Sequence, residues 1–182
     1  YNRQVGIFDP HKYADKYDIL IIGAGTIGSW VTFGLAKLGI NVIHLVDYDK
    51  VESYNVSNQI PGIKYLGIPK VTAMEGICHE ENTRIIPYIK EFNREFKEID
   101  SSKELIVISA VDSMQSRREI WEWVNCNINI VKYFIDGRMG GQVIKVYSLN
   151  PITLGGEYEK TLHSDKTEHI GKTDVRNASE VP

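Results

Sequence analysis

The sequence predicts an α/β fold: a mostly parallel central sheet with helices on both faces and one or more antiparallel strands near the C-terminal end. Three observations predict it. Short aliphatic runs, above all Ile19-Leu20-Ile21-Ile22 and Glu104 to Ser109, have the composition of strands buried on both faces. Helical patterns alternate with these runs. The first run leads into Gly23, Gly25 and Gly28, the G-x-G-x-x-G spacing that opens a Rossmann-like unit.

In chain order, Tyr1 to Tyr17 is polar and aromatic with a weak pattern, and Asp9-Pro10 marks a turn or helix start. The first strand is about Asp18 to Ile22. The glycines after it let the chain turn sharply, bring backbone close to a phosphate and pack the next helix onto the strand. The start of that helix is an anion site, because its free N–H groups point outward and its dipole is positive there. The helix runs from about Thr26 to Leu38, with Trp30, Val31, Phe33, Gly34, Leu35 and Leu38 as its apolar face and Gly39 as its C-terminal cap. The second strand, Asn41 to Asp47, ends on an acid about 20 residues beyond the glycines, where a ribose-binding carboxylate is expected. Together these features point to a nucleotide site.

Tyr48 to Ile68 then interrupts the pattern with a long polar loop containing Asp49, Glu52, Asn55, Ser57, Asn58 and Gln59. A loop of this length is usually functional or mobile. Pro69 suits the first turn of a helix. Lys70 beside it opposes the helix dipole, so an anionic ligand is expected to compensate it. Arg84 to Ile89 is a strand, whereas Phe92 to Ile99 fits either a short amphipathic helix or further strand. After the strand Glu104 to Ser109, Ala110-Val111-Asp112-Ser113 forms the turn into a helix capped by Ser113 and running from Met114 to about Asn127. Ile120, Trp121 and Val124 face inward there, with Trp123 as a further candidate. Asp112 therefore stands at the carboxyl edge of the sheet, where open α/β folds bind ligands. A strand from Asn129 to Asp136, a glycine-rich loop over Gly137 to Gly141 and an alternating strand from Gln142 to Leu149 follow. The last strand is expected to be antiparallel to its neighbour or at the sheet edge. Residues 1–150 are expected to form one domain, with 151–182 as a polar extension in which His163, Asp165, His169 and Asp174 match no metal-site spacing.

Composition narrows the function classes. The chain has 182 residues, 42% hydrophobic and 25% charged, with a net charge of −3, so no broad attraction to nucleic acid is implied. No apolar run is long enough to span a bilayer and no signal peptide is visible, which makes a cytoplasmic protein without membrane contact the expectation. Cys78 and Cys126 show no zinc-site spacing and are expected to be two buried thiols. The first residue is Tyr1, so the chain is expected to be part of a longer protein.

The ordered motifs resemble a known family, the ThiF/MoeB-type adenylyltransferases, whose fold also forms the adenylation domain of ubiquitin-activating enzymes. The resemblance covers about Tyr1 to Leu149. Tyr1-Asn2-Arg3-Gln4 is similar to the family's opening Arg-Tyr-x-Arg-Gln. Gly23 to Gly28 resembles its phosphate loop, and Asp47-Tyr48-Asp49-Lys50-Val51-Glu52 its Asp-x-Asp-x-Val-Glu. Asn55 to Gln59 stands where the family has Asn-Leu-x-Arg-Gln. Gly67-Ile68-Pro69-Lys70 is similar to its Gly-x-x-Lys. Val111-Asp112-Ser113 with Arg117 and Arg118 resembles Thr-Asp-Asn and a trailing arginine, and Asp136 to Val143 its glycine-rich approach to a Gly-Gln-Val strand.

The resemblance implies an enzyme that uses ATP and Mg²⁺ to convert the C-terminal carboxylate of a small β-grasp ubiquitin-like or sulfur-carrier protein into an acyl-adenylate, working as a homodimer. It implies that Gly23, Gly25, Thr26 and Gly28 face the nucleotide phosphates. Asp47 would hold the ribose, and Asp49, Asn55, Asn58, Gln59 and Lys70 would complete the nucleotide site. Asp112 would hold Mg²⁺, and Arg3 would reach ATP in the neighbouring subunit. Catalysis of this kind needs positioning and charge neutralisation more than a strong base. Two departures stand out. Asn58 replaces the family's loop arginine, a loss of about 1.5–3 kcal/mol for a charge-assisted contact, so Lys64, Arg117 or Arg138 substitutes or adenylation is weakened. The sequence also lacks the zinc-binding cysteine pairs and a downstream thioester cysteine, for which there is room beyond Pro182. Two rival readings are an NAD-binding dehydrogenase domain and a non-catalytic nucleotide-binding scaffold. The first shares the glycines and Asp47 but leaves the long loop, Lys70 and Asp112 unexplained.

Overall fold

The computed structural model describes residues 7–99, 102–140 and 143–162. In order, they form α1 (Pro10–Lys16), β1 (Tyr17–Ile22), α2 (Thr26–Lys37), β2 (Val42–Val46), α3 (Lys70–His79), β3 (Arg84–Tyr88), β4 (Glu104–Ser109), α4 (Met114–Cys126), β5 (Val131–Gly140), β6 (Val143–Leu149) and α5 (Pro151–Glu159). The strands make one sheet in the order β3-β2-β1-β4-β5-β6. Every neighbouring pair is parallel except β5 and β6. The last strand is thus both antiparallel and at the edge.

Alternation along β1 builds two cores. Ile19 and Ile21 join Ile43, Leu45, Val71, Met74 and Cys78 under α2 and α3. Leu20 and Ile22 join Leu105, Val107, Ile120, Trp121, Val124, Phe134 and Tyr158 under α4 and α5. A parallel sheet covered on both faces needs apolar residues at every strand position, which is why the strands read as unbroken aliphatic runs. Among the described residues no helix is long and apolar enough to cross a membrane.

Several expectations are corrected. The buried face of α2 is Gly28, Ser29, Thr32 and Ala36, while Trp30 and Leu38 are exposed. Small residues let this helix lie flush on the sheet, and the larger Val31, Phe33 and Leu35 pack only at its flanks. Phe92 to Ile99 is neither helix nor strand; it is a loop pinned by the buried rings of Phe92 and Phe96, with Trp123 Nε1 donating to Phe96 O at 2.7 Å. Gly137 to Gly140 continue β5 rather than forming a loop, because each pairs with β6. Gly137 gives β5 a close approach to α2, since a Cβ there would lie 3.2 Å from the Ile27 side chain. Cys126 is exposed, and only Cys78 is buried. The stretch expected to be a polar extension begins with α5, capped by Asn150 Oδ1 accepting from Ile152 N at 2.9 Å and anchored by buried Tyr158. The scattered His163, Asp165, His169 and Asp174 lie outside the described residues.

Candidate functional site

The strand order reverses between β1 and β4, which opens a crevice at the carboxyl ends of the strands. A cavity of about 440 Å³ occupies it, within the range of small-molecule sites. Its floor is the glycine turn. Gly23 has φ +96°, and a Cβ there would lie 2.6 Å from the Ala110 carbonyl oxygen. Gly28 does not line the cavity; it fixes the helix, since its Cβ would lie 1.8 Å from Gly23 O. Gly25 differs from both. Nothing lies within 4 Å of its would-be Cβ, and as the N-cap of α2 it supplies no side-chain bond to the first helical turn. The uncapped turn therefore presents its N–H groups and positive dipole end to open space, a cradle an anion can enter and a methyl group would fill.

Asp47 ends β2 and ties this floor to the long loop. One oxygen accepts from Ala24 N at 2.6 Å and the other from Asp49 N at 2.7 Å. Burial pushes its pKa above the usual carboxylate range, against the pull of those two bonds. Each oxygen keeps a further lone pair for a hydroxyl donor.

The loop between β2 and α3 is compact. Lys50 bridges to Pro69 at its base, and Val51 N donates to Ile68 O at 2.9 Å. Trp30 Nε1 donates to Asn58 O at 3.1 Å and Ile60 N to Ser29 Oγ at 3.2 Å, fastening the loop to α2. Trp30 is therefore exposed for a reason: it is a strut for the loop rather than a core residue. Asn55, Asn58 and Gln59 all line the cavity, and Gln59 Oε1 is buried with no partner.

Lys70 is buried, and its Nζ lies 2.9 Å from Asp49 Oδ2. The compensation expected from an anionic ligand comes from within the chain. Asp49 is itself half exposed, so it can yield the lysine to a stronger anion without itself being stranded in the core. Asp112 lies across the cavity at the end of β4, exposed, in the turn before α4 whose cap is Ser113 Oγ accepting from Ser116 N at 3.0 Å.

The structure thus brings Gly23, Gly25, Thr26, Asp47, Asp49, Asn55, Asn58, Gln59, Lys70 and Asp112 around one cavity. Arg3 lies outside the described residues. The three cations put forward to replace the loop arginine are engaged elsewhere. Arg138 donates through Nε to Asp136 at 2.6 Å and through Nη1 and Nη2 to Thr161, Arg117 donates through Nε to Asp136 at 3.3 Å, and Lys64 lies over the Tyr65 ring without lining the cavity. Sequence reasoning missed Lys90, Glu91 and Phe92, which line the wall beyond β3. The signal was available: they directly follow a parallel strand, at the same sheet edge as Asp47 and Asp112. Lys90 pairs with exposed Glu98.

The fold and cavity define a nucleotide-binding α/β domain of the Rossmann-like class. Within that class the chain belongs to the ThiF family, whose sequence profile matches residues 1–147. It is 29% identical over 141 residues to the adenylyltransferase and sulfurtransferase MOCS3 of Arabidopsis thaliana, covering 74% of this chain and 30% of that protein. It is 28% identical over 138 residues to the tRNA threonylcarbamoyladenosine dehydratase of Escherichia coli, covering 72% of this chain and 49% of that one. A crystal structure of that dehydratase in complex with ATP superposes with a TM-score of 0.64 at 27% identity, over 78% of this chain and 58% of the other. The chain therefore spans half or less of the length of these two curated relatives.

Proposed function

We propose that this chain carries the ATP site of an adenylyltransferase that activates the C-terminal carboxylate of a small ubiquitin-like or sulfur-carrier protein as an acyl-adenylate. The observation that carries the reading is the open cradle at Gly25, faced by Lys70 and Asp112 across one cavity. An NAD site has use for the glycines and Asp47 but none for a buried lysine beside a carboxylate opposite. Family membership favours ATP, as does the ATP complex of the E. coli relative.

The residues divide the work by position. The α2 N-terminus and the Gly23–Gly25 backbone receive phosphate oxygens. Asp47 accepts from ribose hydroxyls, and the unpartnered Gln59 Oε1 accepts one further donor. Lys70, released by Asp49, neutralises phosphate charge. Among the described residues no group of three His, Cys, Asp or Glu could cage a metal. One exposed carboxylate, Asp112, suits Mg²⁺, a hard cation that takes one or two carboxylates and completes its shell with phosphate and water. Bound there, Mg²⁺ would offset charge on the polyphosphate. A carboxylate oxygen of the carrier attacks the α-phosphorus, and the bond to the α,β-bridging oxygen breaks. That oxygen keeps the electron pair and leaves as pyrophosphate. The role of Arg3 across a homodimer belongs to the same proposal, and Arg3→Ala is expected to lower turnover while the fold is kept.

The test is ATP–pyrophosphate exchange with labelled pyrophosphate, Mg²⁺ and candidate carriers, with tRNA as a separate acceptor arm. Exchange that needs a carrier bearing a free C-terminal carboxylate supports the reading. ATP binding without exchange for any acceptor leaves a scaffold, and exchange with tRNA alone moves the substrate to the class of the E. coli relative.

A further inference from the structure

Arg117 is placed where arginine is costly. It lies in the first turn of α4, against the positive end of the dipole, and its side chain is 4% exposed. Its partners account for it. Nε lies 3.3 Å from Asp136 Oδ1, Nη1 donates to Asp112 O at 3.3 Å and Nη2 to Val111 O at 2.5 Å. Asp136 is fully buried on β5, paired in register with Ser109 at the end of β4. Its other oxygen accepts from Arg138 Nε at 2.6 Å and from Tyr158 Oη at 2.9 Å. The guanidinium fork therefore spans β5 and the turn between β4 and α4: one arm is anchored on β5 and two hold the carbonyls of the residues that present the Asp112 carboxylate to the cavity.

We propose that Arg117 is a positioning residue for Asp112, anchored by Asp136, and that this relay sets the affinity for the divalent cation. Arg117 lines the cavity wall, but its hydrogen bonds commit each nitrogen to the chain itself, so it acts on the ligand through the Asp112 backbone. The inference rests on the reading of Asp112 as the Mg²⁺ residue. Lysine cannot replace the fork, because a single ammonium can reach the β5 carboxylate or the turn carbonyls but does not present donors in the planar array that meets both.

The experiment measures the rise in melting temperature caused by ATP as Mg²⁺ is titrated, for the wild type, Arg117→Lys, Asp112→Asn and the double variant. Arg117→Lys is expected to raise the Mg²⁺ concentration giving half the rise by about tenfold, or about 1.4 kcal/mol. It is expected to leave the small rise seen with ATP alone intact. In the Asp112→Asn background the lysine is expected to add nothing. Loss of ATP binding at every Mg²⁺ level in Arg117→Lys overturns the proposal and marks a direct phosphate contact. A shift in Asp112→Asn with none in Arg117→Lys overturns positioning alone. No shift in Asp112→Asn overturns the metal role of Asp112 first. Should Arg117→Lys fail to fold, Arg117→Gln, whose amide nitrogen stands at the Nε position and so keeps a donor for Asp136 while losing both arms to the turn carbonyls, is read by the same criteria.

Discussion

Replacing Gly28 by alanine tests whether the glycine spacing is a steric device apart from its part in ligand binding. The added Cβ would lie 1.8 Å from Gly23 O, 2.8 Å from the Gly23 carbonyl carbon and 3.3 Å from Ala110 Cβ. Real Cβ contacts stay above 3.0 Å, so α2 must lift from the glycine turn by about 1 Å or more, against backbone that cannot rotate away. Overfilling a packed interior costs about 1–3 kcal/mol, and alanine's better helix propensity returns about 1 kcal/mol. With backbone on the far side of the clash, the net loss is about 2 kcal/mol, a fall of about 4–8 °C in melting temperature for a chain of this size. Gly25→Ala is the control. Its Cβ enters open space, and the N-cap change costs under about 1 kcal/mol, or at most about 4 °C. Thermal melts with and without Mg-ATP separate the two. Gly28→Ala is expected to melt early without ligand. Gly25→Ala is expected to melt near the wild type and to lose most of the ligand-induced rise. A Gly28→Ala protein melting within about 1 °C of wild type, or a Gly25→Ala protein with an intact Mg-ATP response, refutes the division of labour.

Lys70→Met is expected to change the ligand-free melting temperature by less than about 3 °C, because Asp49 is half exposed and stays solvated, while calorimetry shows ATP affinity down by about tenfold or more. Unchanged affinity would remove Lys70 from the phosphate site. Burial, with the charge of Glu81 adding to it, pushes the Cys78 thiol up to about 11, so at pH 8 about one part in a thousand is thiolate. Iodoacetamide on the native protein is therefore expected to label exposed Cys126 and spare Cys78, as mass mapping reads directly, with both labelled after unfolding. Burial, with Arg84 adding to it and Asp18 opposing, holds His44 below its ordinary pKa. The unfolded chain then takes up the proton first, so stability is full above about pH 6.5 and declines as pH falls through that value. His44→Gln is expected to flatten the melting-temperature profile between pH 7 and 5.5, and an unaltered acid slope would place the sensitivity elsewhere.

The parts of this fold legible in the sequence are those whose cause is local. The strand Glu104–Ser109 reads to the residue, because burial on both faces demands an unbroken aliphatic run. Met114–Cys126 reads to within a residue, because Ser113 caps it and its apolar residues keep a 3.6 period. Gly23, Gly25, Asp47 and Asp112 line the cavity for the same kind of reason: each stands just after a strand, at the edge where the chain turns, whereas Asn55, Asn58, Gln59 and Lys70 are brought there by the loop before α3 and the start of that helix. What failed had a distant cause. α2 carries five large apolar residues, yet the small face is the buried one, because contact with the sheet selects for close approach and Trp30 is drawn outward by the Asn58 carbonyl. Gly137 to Gly140 look like a loop until β6 pairs with them. For α5 the signal was present and unread: Asn150 as cap with Pro151 in the first turn.

Charge is where sequence and structure together say more than either. The cavity wall carries Lys70, Lys90 and Arg117 against Asp47, Asp49, Glu91 and Asp112, so it is no standing well of positive potential for a polyphosphate. Lys70 and Arg117 are each held by a carboxylate, one half exposed and one fully buried. That difference assigns them different tasks. A lysine on a solvated partner can exchange it for phosphate at little cost, whereas an arginine on a buried aspartate cannot leave without stranding that charge in the core. In this reading Lys70 moves to the ligand and Arg117 stays with the turn. Asn58 adds no charge where the family has an arginine, so under the proposed function a larger share of phosphate neutralisation would fall to Mg²⁺ at Asp112. The fidelity with which Arg117 and Asp136 hold that carboxylate then matters more here than it would beside a charged loop.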